Sequence, residues 1–152
     1  MLIADIDFCK PEDLEELYAI ESACFKDPLN RRVMEHDLAN LGQTVYLKAV
    51  VDCAIAGYGI LARDGADAHV LNIAVMPEYR SNGIGLQLMF SFGEIAAEWG
   101  SKNMRLEVRK GNSHARHFYL ALGFIYAKSI RNYYADGEDA LIMTARLPLA
   151  VK

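Results

Sequence analysis

The sequence has no long hydrophobic run. None of its apolar segments approaches the roughly 20 residues that a membrane-spanning helix requires. Residues 1–7 alternate between apolar and polar types and include no basic segment, so we expect a strand there and no signal peptide. No repeat, low-complexity tract or linker interrupts the chain. Its 152 residues suit one domain, residues 1–152, which should bury about 70% of its unfolded surface.

Cysteine is also scarce. Cys9, Cys24 and Cys53 are odd in number, widely spaced and set in apolar surroundings. These features favour reduced, buried thiols in a reducing compartment, and we therefore expect a cytoplasmic protein. No histidine or other base lies near Cys53 in sequence, which argues against a covalent cysteine nucleophile.

An excess of positive charge is missing as well. The formal net charge is −4, whereas general nucleic-acid binding requires a basic face. Mild acidity is compatible with a cationic peptide partner. Hydrophobic residues make up 53% of the chain and charged residues 24%, which is an ordinary soluble composition. We therefore expect neither a nucleic-acid partner nor a membrane partner.

A recognisable set of metal ligands is lacking too. His114 and His117 are three residues apart on a predicted helix, so both could contact one metal ion. No carboxylate or cysteine completes the set. We expect solvated helix positions and no metal site.

Hydrophobic periodicity and turn signals predict an α/β protein. Pro11 marks a helix start, Gly123 a helix end and Asp136-Gly137 a turn. Strands followed by alternating strands and helices indicate a mixed sheet with helices on both faces. The predicted strands are 2–8, 44–51, 54–63, 68–76, 103–109, 124–132 and 139–147, and the predicted helices are 11–24, 30–40, 84–99 and 113–121.

The segment 80–85 carries the clearest functional signal. Its sequence is Arg-Ser-Asn-Gly-Ile-Gly, and it lies between an apolar strand, which Pro77 ends, and a long amphipathic helix. Glycines allow positive φ and close backbone approach, and the first N–H groups of a helix are unpaired. This arrangement favours a bound anion, and pyrophosphate is the natural occupant.

Two common phosphate loops are excluded at this segment. A P-loop has Lys followed by Ser or Thr after its last glycine, whereas Leu86-Gln87 follows here. A dinucleotide-binding turn has a third glycine and opens a βαβ unit, whereas this loop lies in mid-chain. An ordinary glycine turn remains the alternative when the six residues are considered alone.

Further motifs accompany this loop along the chain. They are Asn72–Pro77, Leu106–Arg109 (Leu-Glu-Val-Arg), Asn112–Phe124, Arg131–Tyr134 (Arg-Asn-Tyr-Tyr) and Glu138–Met143. Together with Arg-x-x-Gly-x-Gly they resemble the GNAT acetyltransferase superfamily, and in particular its ribosomal-protein-alanine and other protein N-terminal acetyltransferases. The resemblance covers residues 68–147, whereas residues 1–60 match only in general layout.

The resemblance implies the GNAT fold, with about seven strands and a splay between the fourth and fifth. It also implies acetyl-CoA as co-substrate, held in part by strand backbone groups that the splay leaves free. The N–H of Val75 corresponds to the oxyanion donor. Asparagine is a favoured helix cap, so Asn112 is expected to cap the fourth helix, and the resemblance implies that it also contacts the coenzyme. Many relatives carry serine at the position of Gly111. The implied coenzyme-binding residues are Ile73, Ala74, Val75, Ser81, Asn82, Gly83, Ile84, Gly85, Leu86, Asn112 and Tyr119.

Acetyl transfer from a thioester to an amine needs a base for the ammonium, a donor for the oxyanion and an acid for the thiolate. Alternation in residues 104–109 places Glu107 on a polar face, where pairing with Arg105 or Arg109 is the alternative explanation. The resemblance implies that Glu107 is the catalytic proton acceptor, acting through water.

Tyr119 lies in an apolar helical stripe, which is typical of a core residue. The resemblance implies instead that it is the catalytic proton donor. A phenol with a pKa near ~10 is suited to protonating a thiolate whose conjugate acid has a pKa near ~8.5.

The resemblance also implies an acceptor site. Tyr133 and Tyr134, at a predicted strand end, help to grip a peptide N-terminus, and strand alternation turns at most one of them directly into the site. Phe25 and the next three residues form the opposite wall. Relatives often carry tryptophan at the position of Leu29, which leaves the acceptor residue open.

The predicted activity is transfer of acetyl from acetyl-CoA to the α-amino group of a protein N-terminus, by direct attack in a ternary complex. A ribosomal protein is the acceptor that the resemblance suggests, and the enzyme is expected to be a monomer or homodimer. A small-molecule amine or lysine acetyltransferase on the same scaffold stays open. So does a non-catalytic acetyl-CoA-binding module, although retention of Glu107 and Tyr119 argues against it.

Overall fold

The computed structural model describes residues 1–40, 42 and 44–151. Their secondary structure follows the predicted order, with short 3-10 turns at Pro11–Asp13 and Pro77–Tyr79. The strands are β1 (Asp5–Phe8), β2 (Thr44–Val51), β3 (Ala54–Asp64), β4 (Asp67–Val75), β5 (Asn103–Arg109), β6 (Ile125–Ile130) and β7 (Ala140–Arg146). The helices are α1 (Leu14–Cys24), α2 (Arg31–Ala39), α3 (Ile84–Glu98) and α4 (Ser113–Ala121).

Two departures from the predicted strand boundaries have local causes. β1 begins at Asp5 rather than at residue 2, because the backbone N–H groups of Leu2 and Ala4 bond to the segment 82–87 instead of a strand. β6 ends at Ile130 rather than at residue 132, where Asn132 takes a left-handed φ of 53°. A left-handed residue cannot continue a strand.

Short polar residues set the helix ends. Asn30 Oδ1 accepts from the Arg32 N–H at 2.8 Å and begins α2. Asn112 Oδ1 accepts from the Ala115 N–H at 3.1 Å, so the predicted cap of α4 is confirmed. Gly123, with a φ of 94°, follows the end of α4 as expected of a C-terminal glycine.

The strands form one mixed sheet in the order β1-β2-β3-β4-β5-β7-β6. Neighbours run antiparallel in the pairs β1–β2, β2–β3, β5–β7 and β6–β7. β4 and β5 pair in parallel, and the ladder joins residues 67–70 to 103–106. Both strands continue beyond that ladder, to Val75 and Arg109. The splay expected between the fourth and fifth strands is therefore confirmed.

By their internal contacts, the residues fall into two compact units. Unit 1 comprises 1–62 and 72–92, and unit 2 comprises 63–71 and 93–152. Leu17, Met34 and Tyr58 are fully buried in a core of unit 1 that α1, α2, β2, β3 and Ala74 of β4 supply. The core residues of unit 2 include Met104, Leu106, Leu122, Phe124 and Met143, each at most 1% exposed.

The cysteines depart in part from expectation. All three are free, but only Cys9 is buried, whereas Cys53 is exposed. Cys53 lies in the turn between β2 and β3 with a φ of 65°, so its apolar sequence neighbours belong to the strands and not to its surroundings. Among the described residues, no helix is both long and apolar enough to cross a membrane.

Candidate active site

The predicted phosphate loop, residues 80–85, lies in unit 1 and leads into α3. Ser81 and Gly83 have left-handed φ angles of 64° and 83°. Gly85 is the second residue of α3 and is not among the described residues with positive φ. The second left-handed residue of this loop is therefore Ser81 and not the second glycine, Gly85. Left-handed residues in front of a helix N-terminus are typical of backbone anion sites.

Hydrogen bonds hold this loop in place. Asn82 Nδ2 donates to the carbonyls of Arg80 at 3.0 Å and Tyr79 at 3.3 Å. Arg80 Nε donates to the Val75 carbonyl at 3.0 Å, which ties the loop to the end of β4. Ile84, the first residue of α3, is 1% exposed and anchors the helix start in the core.

The first residues of the chain also contact the loop, which the sequence did not predict. The Leu2 N–H donates to the Asn82 carbonyl at 2.9 Å, and Gln87 Nε2 donates to the Leu2 carbonyl at 2.7 Å. A Cβ placed on Gly83 would lie 2.9 Å from Cγ of Met1. Any residue larger than glycine at position 83 would therefore contact the Met1 side chain too closely. It would also adopt a strained φ.

Two glycines of β3 let the end of β4 lie close. A Cβ on Gly57 would come within 2.7 Å of the Ala74 carbonyl oxygen, and one on Gly59 within 2.9 Å of the Asn72 carbonyl oxygen. Real Cβ atoms do not approach a carbonyl oxygen this closely, so any larger residue would displace β4. These glycines therefore help to position Ile73 to Val75, the strand segment expected to bind the coenzyme.

Glu107 lies on β5 in unit 2, where its partner is a histidine. His69 Nε2 lies 2.6 Å from Glu107 Oε2, and the two side chains are 16% and 18% exposed. Arg105 Nη2 lies 3.3 Å from His69 Nδ1 and also bonds to Asp64. A neutral imidazole satisfies both contacts, donating from Nε2 to the carboxylate and accepting at Nδ1. The carboxylate is thereby oriented without a salt bridge to an arginine.

The pairing of Glu107 with a neighbouring arginine is wrong as a prediction. Arg105 pairs with Asp64. Arg109 Nη1 instead contacts Asp136 at 3.0 Å and Glu138 at 2.9 Å. Both arginines therefore have carboxylate partners other than Glu107, which keeps that carboxylate available to take a proton.

His69 is the functional candidate that sequence reasoning missed. It lies opposite Arg105 in the parallel ladder, and Glu107 comes two residues further on the same face of β5. Only the register between β4 and β5 brings the two side chains together. A histidine within a predicted strand gave no signal before that pairing was known.

Tyr119 is partly buried on α4. Its ring makes edge-to-face contacts with Phe118 and Phe124, at centroid distances of 5.2 and 5.6 Å. Burial, and then the charge of Tyr134, raise the pKa of its hydroxyl above the ordinary value for tyrosine. Within the described residues the hydroxyl has no hydrogen-bond partner, yet it is not among the buried orphaned atoms. The ring is thus fixed while the hydroxyl stays available as a donor.

Tyr133 and Tyr134 follow β6 in a turn, so the strand alternation expected for them does not apply. The Tyr134 N–H donates to the Glu138 carbonyl at 3.1 Å, and the two tyrosine rings meet edge-to-face at 5.0 Å. Tyr133 is 48% exposed. The Arg109 guanidinium carbon lies 4.1 Å from the centre of the Tyr134 ring. Both rings therefore belong to one aromatic pair.

Electrostatic interactions connect these tyrosines with Glu107. Burial first, and then the negative charge of Glu107, raise the pKa of Tyr133. Burial is also the main reason that the pKa of Tyr134 rises to about 12, against the lowering effect of Arg109 and with a smaller raising contribution from Glu107. Within unit 2, the charge of Glu107 therefore affects both tyrosines of the pair, and the charge of Tyr134 affects Tyr119.

The turn before α4 explains why residue 111 is glycine here and not the serine that many relatives carry. Its N–H donates to Glu138 Oε2 at 2.8 Å, and a Cβ there would lie 2.7 Å from the same oxygen. A serine at 111 would force the Glu138 carboxylate to move. Hydrogen bonds from Arg109 first, and then from this N–H, hold the pKa of Glu138 below its usual value.

Phe25 and the two candidate metal-binding histidines are exposed, whereas Ala74 is buried and Ile73, Val75 and Leu86 are partly buried. Phe25, directly after α1, is 38% exposed. His114 and His117 are exposed on α4, as expected of solvated helix positions. Among the described residues no group of three histidine, cysteine or acidic side chains could hold a metal ion.

Comparison with known proteins decides the family. The sequence model of the acetyltransferase (GNAT) family matches residues 14–124, well over half of the chain. The chain belongs to the GNAT acetyltransferase family. The GNAT fold and the class of acetyl-CoA-dependent N-acetyltransferase, both expected from the motifs, are thereby confirmed.

Within the GNAT family, the chain is similar to enzymes that modify protein N-termini. The ribosomal protein bS18-alanine N-acetyltransferase of Haemophilus influenzae is 30% identical over 151 residues, 96% of this chain and 99% of that protein. The N-alpha-acetyltransferase of Saccharolobus solfataricus is 34% identical over 118 residues, 67% and 69% of the two chains. The crystal structure of the Escherichia coli ribosomal-protein-S18-alanine N-acetyltransferase superposes with a TM-score of 0.86 at 28% identity, covering 98% and 97%.

Proposed function

We propose that this enzyme transfers acetyl from acetyl-CoA to the α-amino group of a protein N-terminus, by direct attack in a ternary complex. The observation that carries the proposal is the Glu107 carboxylate, which His69 holds at 2.6 Å while both nearby arginines pair elsewhere. Such a carboxylate can accept a proton from an ammonium group. The names of the similar enzymes support a ribosomal protein as acceptor. The cytoplasm is the compartment that we propose for the enzyme.

Acetyl-CoA supplies the activated acetyl thioester, and we propose that residues 1–152 form a single acetyltransferase domain. The left-handed residues Ser81 and Gly83 and the start of α3 suit a pyrophosphate, since their backbone is already arranged for an anion. The proposed coenzyme-binding residues are Ile73, Ala74, Val75, Ser81, Asn82, Gly83, Ile84, Gly85, Leu86, Asn112 and Tyr119.

Glu107 is the proposed base. An α-ammonium has a pKa near ~8, so most of the acceptor must lose a proton before it can attack at neutral pH. Glu107 takes that proton through a water molecule, and His69 keeps the accepting carboxylate in a fixed orientation. The N–H of Val75 donates to the oxyanion that develops on attack.

Tyr119 is the proposed acid. Its raised pKa keeps the hydroxyl protonated at neutral pH, so it can donate to the departing thiolate. The fixed ring of Tyr119 holds the donor at one place, with no competing hydrogen-bond partner among the described residues.

Three aromatic residues are proposed to hold the acceptor. Tyr133 and Tyr134 form the edge-to-face pair that the charge of Glu107 reaches. Phe25 is exposed in the loop 25–29 between α1 and α2, which we name the acceptor loop. An N-terminal dipeptide presents its amine and first side chain, and aromatic walls suit that combination.

A peptide panel tests this function. Peptides that begin with alanine or serine are offered with a free or a formyl-blocked α-amine. A blocked peptide that contains one lysine and a set of small primary amines are offered beside them. Thiol release from acetyl-CoA is then measured. We expect turnover only with free α-amines. Turnover of the lysine peptide or of small amines alone would indicate the lysine or small-molecule alternative, and acetyl-CoA binding without any turnover would indicate a binding module.

A further inference from the structure

Glu21 is a buried carboxylate to which the proposed chemistry gives no role. This residue of α1 is only 3% exposed. Its Oε1 accepts from the Tyr58 hydroxyl and from Asn72 Nδ2, both at 2.5 Å. Its Oε2 accepts from the Leu29 N–H at 2.8 Å. Both oxygens are thus satisfied, as a buried carboxylate requires.

The same residue closes the acceptor loop at both ends. The Glu21 backbone carbonyl accepts from the Phe25 N–H at 3.1 Å, where α1 ends. Its carboxylate accepts from the Leu29 N–H, just before Asn30 begins α2. Residues 25–28 are exposed between these two points. One residue therefore fixes where this exposed loop begins and where it ends.

The other carboxylate oxygen connects the loop to β4. Asn72 directly precedes Ile73, the first residue proposed to hold the coenzyme. The Tyr58 hydroxyl also accepts from Asn72 Nδ2 at 3.1 Å, and Tyr58 is fully buried. Burial, and then the hydrogen bond to Glu21, raise the pKa of Tyr58, so its hydroxyl remains a donor. The loop is thereby fixed relative to the coenzyme-binding strand through a rigid, buried group.

We propose that Glu21 is a positioning residue for the acceptor: it fixes the acceptor loop relative to β4 and so determines how tightly the peptide N-terminus binds. The inference rests on the proposed function, because it gives the loop its acceptor role. Glu21 acts through the Leu29 N–H and touches neither substrate.

Glu21→Gln separates this role from simple burial. A glutamine has one accepting oxygen, and its NH₂ group can only donate. Two donors face Oε1 and one faces Oε2, so the amide oxygen is expected at the Oε1 position. The NH₂ group then faces the Leu29 N–H, donor against donor. The substitution therefore releases the loop while keeping the contacts to Tyr58 and Asn72.

Two measurements follow from this argument. Hydrogen exchange of the free enzyme should show faster exchange at the Leu29 amide in Glu21→Gln, with the helix amides of α2 unchanged. With the best free-amine peptide of the panel, the KM for the peptide should rise about tenfold, consistent with loss of one hydrogen bond to a charged group. The KM for acetyl-CoA should stay at the wild-type value.

Tyr58→Phe is the matched control. It removes one donor from the same buried carboxylate but leaves Asn72 on Oε1 and Leu29 on Oε2. We expect wild-type Leu29 exchange and a wild-type KM for the peptide. An equal effect in the two variants would overturn the proposal, because loss of any contact to Glu21 would then suffice.

The outcomes separate this proposal from the proposed function. If the wild-type enzyme acetylates no free α-amine, the proposed function is contradicted. Hydrogen exchange at the Leu29 amide still tests, without any substrate, whether Glu21 holds the loop. An unchanged peptide KM in a folded Glu21→Gln enzyme, or faster exchange throughout unit 1, overturns the positioning role alone. Should Glu21→Gln not fold, Glu21→Asp, which withdraws the carboxylate from all three donors but keeps its charge, is judged by the same two measurements.

Discussion

His69 Nε2 lies 2.6 Å from Glu107 Oε2, across a short parallel ladder between β4 and β5. The contact gives the proposed base a fixed orientation and leaves one carboxylate oxygen without this bond. It also distinguishes Glu107 from the other acidic residues of its surroundings, which pair with arginines. We therefore treat the His69–Glu107 pair as the centre of the proposed catalytic site.

Removal of His69 should misorient this base. In His69→Ala the Glu107 carboxylate loses its donor and can rotate, so we expect kcat/KM for a free-amine peptide to fall about tenfold or more. His117→Ala is the matched control, because His117 is exposed on α4. Steady-state kinetics on the two purified variants make the comparison. Equal values for His69→Ala and the control would contradict the orienting role.

Tyr119→Phe should lower turnover with little effect on stability. The ring keeps its contacts with Phe118 and Phe124, and the deleted hydroxyl has no hydrogen-bond partner among the described residues. We expect kcat to fall about tenfold or more, as is usual for loss of a general acid. Tyr126→Phe, which deletes an exposed hydroxyl bonded to Arg116, should leave kcat unchanged.

The pH dependence of the same step has a defined sign. An acid must be protonated to act, and burial raises the pKa of Tyr119, so the active form persists to higher pH than for an ordinary tyrosine. We expect no alkaline fall in kcat from this group below about pH 10. A fall in single-turnover rate that begins near neutral pH and disappears in Tyr119→Phe would show that the pKa is not raised.

Gly83→Ala should weaken acetyl-CoA binding. Alanine at a φ of 83° strains the proposed phosphate loop, and its Cβ would displace the flexible Met1 side chain. We expect the calorimetric Kd for acetyl-CoA to rise about tenfold, equivalent to 1.4 kcal/mol. Gly65→Ala imposes a similar strain at a φ of 61°, but with open space around it and outside the loop. The Kd of Gly65→Ala for acetyl-CoA should match that of the wild type. A similar rise in Kd in both variants would contradict a role of the loop in coenzyme binding.

The partly buried ion pair Asp13–Lys48 should make stability depend on pH. Lys48 Nζ donates to Asp13 Oδ2 at 2.8 Å, with both side chains less than 15% exposed. Burial alone would raise the pKa of Asp13, but the bonds from Lys48 and from the Lys10 N–H outweigh it and hold the pKa below its ordinary value. Because the folded pKa is the lower one, the pair stabilises the fold above about pH 4, and this is lost as pH falls through the folded pKa.

Lys48→Met measures that contribution. At pH 7 we expect the free energy of unfolding to fall by about 1–2 kcal/mol, and the difference from wild type to disappear at an acidic pH that protonates Asp13 in the folded state. Arg31→Met, which removes the exposed pair with Glu15, should have a much smaller effect at either pH. If Lys48→Met lowers the free energy of unfolding by the same amount at both pH values, the cause is lost packing and not lost charge.

Local sequence signals predicted most of the elements because they depend on neighbours in the chain. The apolar alternation around Glu107 gave β5, and Asn112 with Gly123 gave the ends of α4, within a residue of the structure. The loop and helix start at 80–85 were placed for the same reason. Family resemblance then supplied the roles of Glu107 and Tyr119, which no periodicity could give.

What the sequence could not predict depends on residues far apart in the chain. His69 meets Glu107 only through the β4–β5 register, and Leu29 reaches Glu21 only once α1 and α2 have folded back on each other. The exposure of Cys53 was missed because turn geometry, and not sequence neighbours, decides it. These contacts are tertiary, so no local pattern contains them.

The most direct test of the proposed base is kcat/KM of Glu107→Gln with a free-amine peptide between about pH 6 and 9. Glutamine is nearly isosteric and can still accept from His69 Nε2, but it cannot take a proton. We predict a loss of about a hundredfold or more at pH 7, with acetyl-CoA affinity retained and part of the activity regained at high pH, where more of the amine is already neutral. Wild-type kcat/KM throughout that range would contradict the assignment of Glu107 as the base.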